Sequence, residues 1–430
     1  MMKEYIRTFI VYLLTLEARA VLKKYKPRLI VVTGSVGKTS TKDATYAALK
    51  QVAFVRKSEK SYNSDIGAPL TILGVPNGWS NLYQWFKNLF DGAMLLLIST
   101  PYPTWLVVEV GADRPGDISK SLSWLKPTVV VTTRFPAIPV HVEYYASPEA
   151  VIEEELYPLS ALAEGGVAVI NADEPHTAQV TLKSGVRTLT YGFSKRADVR
   201  AHRYRVSKKA GLPSGITFDV MHQGTEISIV IPGVVGKTHV YAILGGMAGA
   251  LATGATLSNI AKLADSYDAP PGRLRLVPGM HESLIVDDSY NSSPAAVEEA
   301  LEALQNATHT GRRIGILGDM LELGSFSAKE HARIGVLAES RLDMLITVGV
   351  RARGIAEAAL EKGMPVSAVH LFERGSDAAS SVLSELKKGD VVLIKGSQSM
   401  RMERITKALM QNPEEAVKFL PRQDTEWLAR

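Results

Sequence analysis

The stretch Leu29-Ile-Val-Val-Thr-Gly-Ser-Val-Gly-Lys-Thr-Ser40 decides the fold of the first half of the chain. It begins with the apolar residues of a buried strand, passes through a glycine turn and opens a helix at Lys38. This arrangement aims backbone N–H groups and a helix N-terminus at one point, which suits a phosphate group. Lys38 is placed to reach the outer phosphates, and the Thr39 hydroxyl is placed to bind Mg²⁺. We therefore predict a nucleotide-phosphate site formed by Gly34, Ser35, Val36, Gly37, Lys38, Thr39 and Ser40.

The bulk composition indicates a globular protein of two or three domains. The chain has 430 residues, which exceeds one ordinary hydrophobic core. It contains no cysteine, which excludes disulfides, thiolate nucleophiles and cysteine-ligated metal centres. The net charge of +5 favours anionic ligands but is too small to indicate a nucleic-acid partner. We expect a cytoplasmic monomer that binds small molecules and no nucleic acid.

Two apolar segments leave the question of membrane contact open. Residues 3–24 predict a helix followed by basic residues, and its apolar core, Phe9 to Leu16, is far shorter than the ~20 residues that span a bilayer. The helix could pack on the first domain or lie on a membrane surface. Residues 79–99, rich in aromatic residues and leucine, predict an amphipathic helix with the same two alternatives.

Buried strands that alternate with helices predict two mostly parallel, doubly wound sheets. The first set of strands is predicted at 105–110, 127–133 and 167–171, with a helix that is capped by Ser147 and runs to about Glu164, and a hairpin over 216–231. Pro and Gly at 268–272 predict a domain boundary. Beyond it, strands are predicted at 283–287, 313–318, 344–348 and 391–395, with helices from Pro294 and at 329–340, 376–387 and 399–409. The predicted fold is an α/β phosphate-loop domain (28–269) after an N-terminal helix (1–27), followed by a Rossmann-like α/β domain (270–430).

Three side chains of the first domain are predicted to converge. Lys38, Glu109 and the loop that carries His141 all follow strands, and doubly wound sheets bind ligands beyond the carboxyl ends of their strands. A threonine hydroxyl, a carboxylate and an imidazole are a plausible shell for Mg²⁺ beside phosphates. We therefore predict Lys38, Glu109 and His141 as catalytic residues.

Five motifs in order along the chain resemble those of the Mur ligase family. They are the loop at 33–42, Val108-Glu-Val-Gly-Ala112 with Pro115-Gly-Asp-Ile118, Asp287-Asp-Ser-Tyr-Asn-Ser-Ser-Pro294, Gly318-Asp-Met-Leu-Glu-Leu-Gly324 and Lys395-Gly-Ser-Gln-Ser-Met-Arg-Met-Glu403. The last three resemble the branch of the family that adds D-alanyl-D-alanine to a muramoyl-tripeptide. The resemblance covers residues 29 to 410.

The resemblance implies an ATP-dependent ligase of peptidoglycan precursor synthesis that works through an acyl phosphate. It implies that Arg273, Asp288 and Asn291 bind ATP from the second domain. It also implies that Asn63, Asp319, Glu322, Lys395 and Ser397 contact the muramoyl-peptide precursor or the D-Ala-D-Ala dipeptide. Mg²⁺ would be bound by Thr39, Glu109, His141 and Glu155.

The chain departs from the family pattern at three places. Only a short segment precedes the first strand, where relatives have a UDP-binding domain. Where relatives have a carbamylated lysine, this chain has Glu155, beside Glu153 and Glu154, and we predict that Glu155 or Glu154 supplies the same negative charge. Where relatives have a His-Asn pair near the adenine, this chain has Thr238 and His239.

Two further functions stay open at the level of the sequence. The chain could be a family member that joins a different amine to a different carboxylate, including a lipid-linked one. It could also be a non-catalytic ATP-binding regulator.

Overall fold

The computed structural model describes residues 2–58, 66–79, 81–307 and 311–428, without the side chains of residues 2–7, 178 and 179. Asn63, a predicted substrate residue, lies outside this range. Within the described residues, every helix is too short or too polar to cross a bilayer.

The first sheet lies in the first 232 residues. Its strands are β1 (Arg28–Thr33), β2 (Val55–Lys57), β3 (Trp105–Glu109), β4 (Val129–Thr132), β5 (Val167–Asn171), β6 (Arg187–Gly192), β7 (Val199–Lys209), β8 (Leu212–His222) and β9 (Thr225–Pro232). In the described chain their order is β2-β3-β1-β4-β5-β6-β7-β8-β9. The pairs from β2 to β7 are parallel, whereas β7, β8 and β9 pair antiparallel.

The second sheet is formed by β10 (Arg275–Pro278), β11 (Leu284–Asp288), β12 (Arg313–Gly318), β13 (Met344–Val348), β14 (Val369–Phe372) and β15 (Val391–Lys395). Their order is β10-β11-β15-β12-β13-β14. Only β10 runs antiparallel to its neighbour among these described strands. The predicted α/β class with two mostly parallel sheets is confirmed, and the domain boundaries at 28 and 270 stay predictions.

Helices cover both faces of each sheet. In the first part of the chain, which contains the first sheet, the helices are α1 (Met2–Tyr25), α2 (Lys38–Leu49), α3 (Gly67–Leu73), α4 (Leu82–Leu97), α5 (Asp117–Leu122), α6 (Pro148–Ser160), α7 (Lys237–Leu251), α8 (Leu257–Ile260) and α9 (Leu263–Ser266). In the second part of the chain, which contains the second sheet, they are α10 (Pro294–Asn306), α11 (Ser327–Arg341), α12 (Arg353–Lys362), α13 (Gly375–Glu385), α14 (Glu403–Leu409), α15 (Ala416–Phe419) and α16 (Thr425–Leu428). Short 3-10 helices occupy Val142–Tyr144, Pro175–Gln179, Met280–Glu282, Gly324–Phe326, Val366–Ala368, Gln398–Met400 and Pro413–Glu415.

Alternating side chains of each central strand enter two different cores. In β1, Ile30 and Val32 pack into one core with α2 and α7, whereas Leu29 and Val31 pack into the other with α1 and α3. This alternation explains why the strand is apolar at every position rather than at every second one. In doubly wound sheets ligands bind beyond the carboxyl ends of the strands, which gives the expected position of the candidate site.

Candidate active site

The phosphate loop connects β1 to α2 and has a fixed backbone. Gly34 (φ 122°) and Gly37 (φ 90°) adopt conformations that favour glycine, and Gly37 is the N-cap of α2. A Cβ at Gly34 would lie 2.2 Å from Thr133 Oγ1. The N–H groups of Ser35 and Val36 donate to the carbonyl of Arg134 at 2.9 and 3.2 Å. The loop is therefore anchored to the end of β4.

Lys38 points back over this loop. Its ammonium donates to the carbonyl of Gly34 and lies 3.3 Å from Glu155 Oε1. The other oxygen of Glu155 accepts a hydrogen bond from the Ser35 hydroxyl. Glu155 is buried, with 3% of its surface exposed, so its charge is directed at the loop rather than at solvent. This contact brings the predicted phosphate-binding lysine together with the residue predicted to replace a carbamate.

Glu109, at the end of β3, contacts the start of α2. Its Oε1 accepts a hydrogen bond from Thr39 Oγ1 at 3.1 Å, and its Oε2 lies 3.6 Å from the ammonium of Lys42. Glu109 and Lys42 are both buried. Glu109 Oε2 has no hydrogen-bond partner among the described residues, so this buried oxygen retains acceptor capacity.

His141 lies in the loop after β4 in a left-handed conformation (φ 67°). Its Nδ1 is 2.6 Å from Glu322 Oε2 in the second part of the chain, and its Nε2 is 3.5 Å from Asp113 Oδ1. Contact with His141 lowers the pKa of Glu322 below its ordinary value. The structure thus brings His141 to a predicted substrate residue.

The four predicted magnesium ligands do not form one cluster. Thr39 contacts Glu109, but Glu155 lies on Lys38 and His141 lies on Glu322. In the described chain, one group of three histidine or acidic side chains has its ligand atoms within 4.8 Å of one another, and it is His202, Asp219 and Glu226 of the β7–β9 hairpin. Arg203 pairs with both carboxylates of that group, so the group belongs to an ion-pair network.

The ends of β11 and β15 bring together two residues predicted from the resemblance. Asp288 Oδ2 is 2.6 Å from Lys395 Nζ, and the ammonium also donates to the carbonyl of Asn291 at 2.9 Å. Asp288 Oδ1 accepts from the N–H of Leu274 at 3.2 Å. Arg273 stacks on the ring of Tyr290 with 4.3 Å between guanidinium and ring centre. Both members of the Asp288–Lys395 pair are nearly buried, so each is held in one place by the other.

Asp319 and Ser397 are joined at the neighbouring strand ends. The N–H of Ser397 donates to the carbonyl of Asp319 at 3.0 Å, and the Ser397 hydroxyl accepts from the N–H of Leu321 at 2.8 Å. The Asp319 carboxylate accepts from the N–H of Ala352 at 2.8 Å. These bonds fix the loops that follow β12 and β15 against each other.

The two parts of the chain meet across the site. Arg134, next to the phosphate loop, forms an ion pair with Glu299 of α10, whose other oxygen accepts from Thr238 Oγ1 at 2.7 Å. Burial raises the pKa of Glu299 above its ordinary value, although Arg134 opposes this effect. Arg134, Lys237, Thr238, Tyr241, Glu299 and Asn306 are among the residues that line a cavity of about 180 Å³ at this junction. The Arg134–Glu299 pair therefore joins the residue whose carbonyl anchors the phosphate loop to helix α10 of the second part of the chain.

Several residues of this arrangement were not predicted from the sequence. Lys42 could have been found, because it lies one helical turn after Lys38 and so faces the same side of α2. Arg134 and Glu299 are far apart in sequence and carry no motif, so only the fold brings them together.

Two family models match the chain. The Mur ligase middle domain matches residues 93–250, and the Mur ligase glutamate ligase domain matches residues 272–398. Together the two matches span most of the chain.

Curated relatives that match most of this chain have names from the same family. UDP-N-acetylmuramoyl-tripeptide–D-alanyl-D-alanine ligase of Bacillus subtilis is 28% identical over 92% of this chain and 79% of its own length. The enzyme of the same name from Escherichia coli is 27% identical over 90% of this chain and 77% of its own length. The crystal structure of MurF ligase from Thermotoga maritima in complex with ADP superposes with a TM-score of 0.74 at 24% identity, covering 95% of this chain and 84% of that one. Both domain models, the relatives and the shared fold agree, and this chain belongs to the Mur ligase family.

Proposed function

We propose that this protein is an ATP-dependent ligase that joins D-alanyl-D-alanine to the terminal carboxylate of a muramoyl-tripeptide. The observation that carries the proposal is the junction beside the phosphate loop, where Arg134, whose carbonyl anchors that loop, pairs with Glu299 of the second part of the chain. Across this junction the phosphate loop and the Asp288–Lys395 pair would face one cleft. A ligase needs such a cleft, because the phosphoryl donor and the two groups to be joined must meet in one place. The names of the relatives supply the substrates.

The proposed reaction has two steps. A carboxylate oxygen of the tripeptide attacks the γ-phosphorus of ATP, the bond to the β-phosphate oxygen breaks, and ADP leaves. The amine nitrogen of the dipeptide then attacks the acyl carbon, the bond to the phosphate oxygen breaks, and inorganic phosphate leaves as the nitrogen loses a proton. Lys38 would stabilise the charge on the phosphoryl oxygens. For this it must leave Glu155 and the Gly34 carbonyl, which hold it in the structure.

The buried residues around Thr39 fit a magnesium ion. The Thr39 hydroxyl and the Glu109 carboxylate are oxygen ligands of the kind that Mg²⁺ prefers, and Glu109 Oε2 has no hydrogen-bond partner in the described residues. Bound Mg²⁺ supplies positive charge to the phosphate oxygens. Roles of His141 and Glu155 as ligands stay predictions, and both require these side chains to leave their present partners.

The second part of the chain would contribute the remaining contacts. Arg273, Asp288 and Asn291 are proposed to reach ATP, and Asp319, Glu322, Lys395 and Ser397 are proposed to contact the peptide substrates. The bonds between Asp319, Ser397 and their loops would hold these groups in fixed positions, which lowers the entropic cost of binding. All these side chains come from one chain, so we propose that a monomer suffices. We also propose a cytoplasmic location, where ATP is supplied.

The experiment that tests the proposal is phosphate release from ATP with Mg²⁺, D-Ala-D-Ala and UDP-muramoyl-tripeptide, with the product weighed by mass spectrometry. Release should require both the dipeptide and the tripeptide. Lys38→Ala should slow it by at least about a hundredfold, because a preorganised donor to the phosphoryl oxygens is lost. Lys388→Ala is the matched control, since the Lys388 side chain is 76% exposed and pairs only with Glu282 in the described residues.

Two results would overturn parts of the proposal. Faster release with another amine would leave the ligase activity standing and remove the D-Ala-D-Ala assignment. ATP binding without phosphate release under any pairing of amine and carboxylate would favour a non-catalytic regulator.

A further inference from the structure

Two neighbouring helices expose an unusual number of large apolar side chains. On α1 these are Phe9, Tyr12 and Leu16, and on α4 and its end they are Leu82, Tyr83, Phe86, Phe90, Leu97 and Ile98. Phe86 is 71% exposed and Phe90 is 64% exposed. We call these side chains the helical face. Single exposed apolar residues need no explanation, but a clustered set marks an interaction surface.

The helical face is the outer side of two helices whose inner sides are already packed. Leu14, Ala18 and Val21 of α1 are buried, as are Trp85 and Gly92 of α4. On α4 the exposed residues 82, 86 and 90 recur at intervals of four, which places them along one stripe. The outer stripe is therefore not explained by the core of this domain.

The two helices are joined by hydrogen bonds at the end of α4. The ammonium of Lys24 donates to the carbonyls of Leu95, Leu96 and Ile98 at 2.9 to 3.0 Å, and so satisfies the end of α4. The Tyr25 hydroxyl donates to the carbonyl of Leu95 at 2.9 Å. The helical face is thus a preformed surface, and a partner would bind it without first ordering it.

The charges around this surface are mostly positive. Arg19, Lys23, Lys26 and Arg28 are exposed on or just after α1. The acidic residue Asp91 on α4 is paired with Lys87 at 2.7 Å. Glu17 lies against Gly92 between the helices, where burial raises its pKa to about 7. Exposed basic residues beside an apolar stripe complement a surface that is apolar inside and anionic outside.

We propose that the helical face docks on the surface of an anionic phospholipid bilayer. Aromatic and leucine side chains would enter the boundary between headgroups and acyl chains, and the basic residues would contact the phosphates. The helices would lie on the bilayer, since neither can cross it. Because α1 leads into β1 and then into the phosphate loop, docking would hold the ATP-binding part of the chain at the membrane.

Co-sedimentation of the full chain with vesicles tests this proposal. Wild-type protein should pellet with vesicles of phosphatidylcholine and phosphatidylglycerol, more weakly with phosphatidylcholine alone, and less at high salt. Phe86→Ser/Phe90→Ser should lower the partition coefficient about tenfold or more, because two rings no longer leave water. Phe54→Ser is the matched control, since Phe54 is 55% exposed and belongs to neither helix.

A variant with reversed charges tests whether the basic residues of α1 contribute to docking. Arg19→Glu/Lys23→Glu should remove the preference for anionic vesicles. Unchanged circular dichroism and melting temperature would show that each variant is folded, and phosphate release would report separately on the proposed ligase. The docking proposal is overturned if wild-type protein stays in the supernatant. It is also overturned if the Phe variant pellets like wild type, or if the face instead mediates a dimer that the Phe variant dissociates.

Discussion

His239 shows how one buried side chain gives the fold a pH dependence. It lies at the junction of the two parts of the chain, 2% exposed, and its Nε2 is 2.8 Å from the carbonyl of Arg273, which can only accept. Burial lowers the pKa of His239 to about 4, so the folded protein holds it neutral at pH 7. The unfolded chain takes up a proton at its ordinary pKa of about 6.5. Stability is therefore lost as the pH falls from about 6.5 towards 4.

The difference between the pKa of His239 in the folded and in the unfolded protein predicts how the variant His239→Gln behaves. Glutamine can still donate to the Arg273 carbonyl but does not titrate. The variant's free energy of unfolding should therefore fall less than that of wild type between pH 7 and pH 4, by up to roughly 3 kcal/mol. Urea denaturation across this range measures the difference. Parallel curves for the two proteins would show that His239 is not the titrating group.

A second prediction concerns the role of Glu155 in phosphate release. If its carboxylate replaces a carbamate, phosphate release should proceed equally well in bicarbonate-depleted buffer. Glu155→Gln should slow release about tenfold or more, because Lys38 and the loop lose a buried negative charge. Glu153→Gln is the control, since Glu153 is exposed on the same helix. A strong requirement for bicarbonate in wild type would contradict this role.

The phosphate loop tolerates substitution at its two glycines to different degrees. Both have positive φ, but a Cβ at Gly34 would collide with Thr133 Oγ1, whereas a Cβ at Gly37 would meet nothing within 4 Å. Alanine costs about 1–2 kcal/mol of backbone strain at either position. Only at Gly34 does it also displace the end of β4.

We therefore expect Gly34→Ala to weaken ATP binding much more than Gly37→Ala. Isothermal titration calorimetry with ATP measures both affinities, and the melting temperature should fall further for Gly34→Ala. Equal losses in the two variants would mean that backbone strain alone determines the loop's tolerance.

The strands whose bounds were predicted most accurately are those that are buried on both faces. The strands 167–171, 313–318, 344–348 and 391–395 have the predicted bounds, because each is an apolar run buried on both faces. The strand β7 was missed. Its sequence is rich in Arg and Lys, and only Val199 and Ala201 are buried, so it carries no apolar pattern that could be recognised. The helix predicted to run to about residue 164 ends at Ser160, shortly after the internal Pro158.

The residues of the candidate site could be predicted from the sequence only in part, for a similar reason. Local motifs placed Thr39 just after β1 and Glu109 at the end of β3, and these two side chains do contact each other. His141 and Arg134 pair with Glu322 and Glu299 of the second part of the chain, and these contacts follow from tertiary packing, which no local pattern encodes. For the same reason the sequence could not show that Glu155 would rest on Lys38.

For the proposed ligation, the two parts of the chain must close on one cleft. Besides Arg134 and Glu299, the N–H of Glu143 donates to the carbonyl of Glu322 at 3.5 Å. Gly324 packs against Glu143, and a Cβ at Gly324 would lie 3.1 Å from Glu143 Cβ. These contacts bring the loop that follows β4 to the loop that follows β12.

The most direct test of this closure is disulfide formation in Glu143→Cys/Gly324→Cys. The chain has no other cysteine, so any disulfide within one molecule must join these two positions. Their separation is close to the range of disulfide-linked Cβ atoms, about 3.5–4.5 Å. In a glutathione redox buffer we predict that the double variant loses both free thiols and gains an intramolecular crosslink, while the single variants do not. Two thiols that stay free in the folded protein would show that the phosphate loop and the second sheet do not face each other as described.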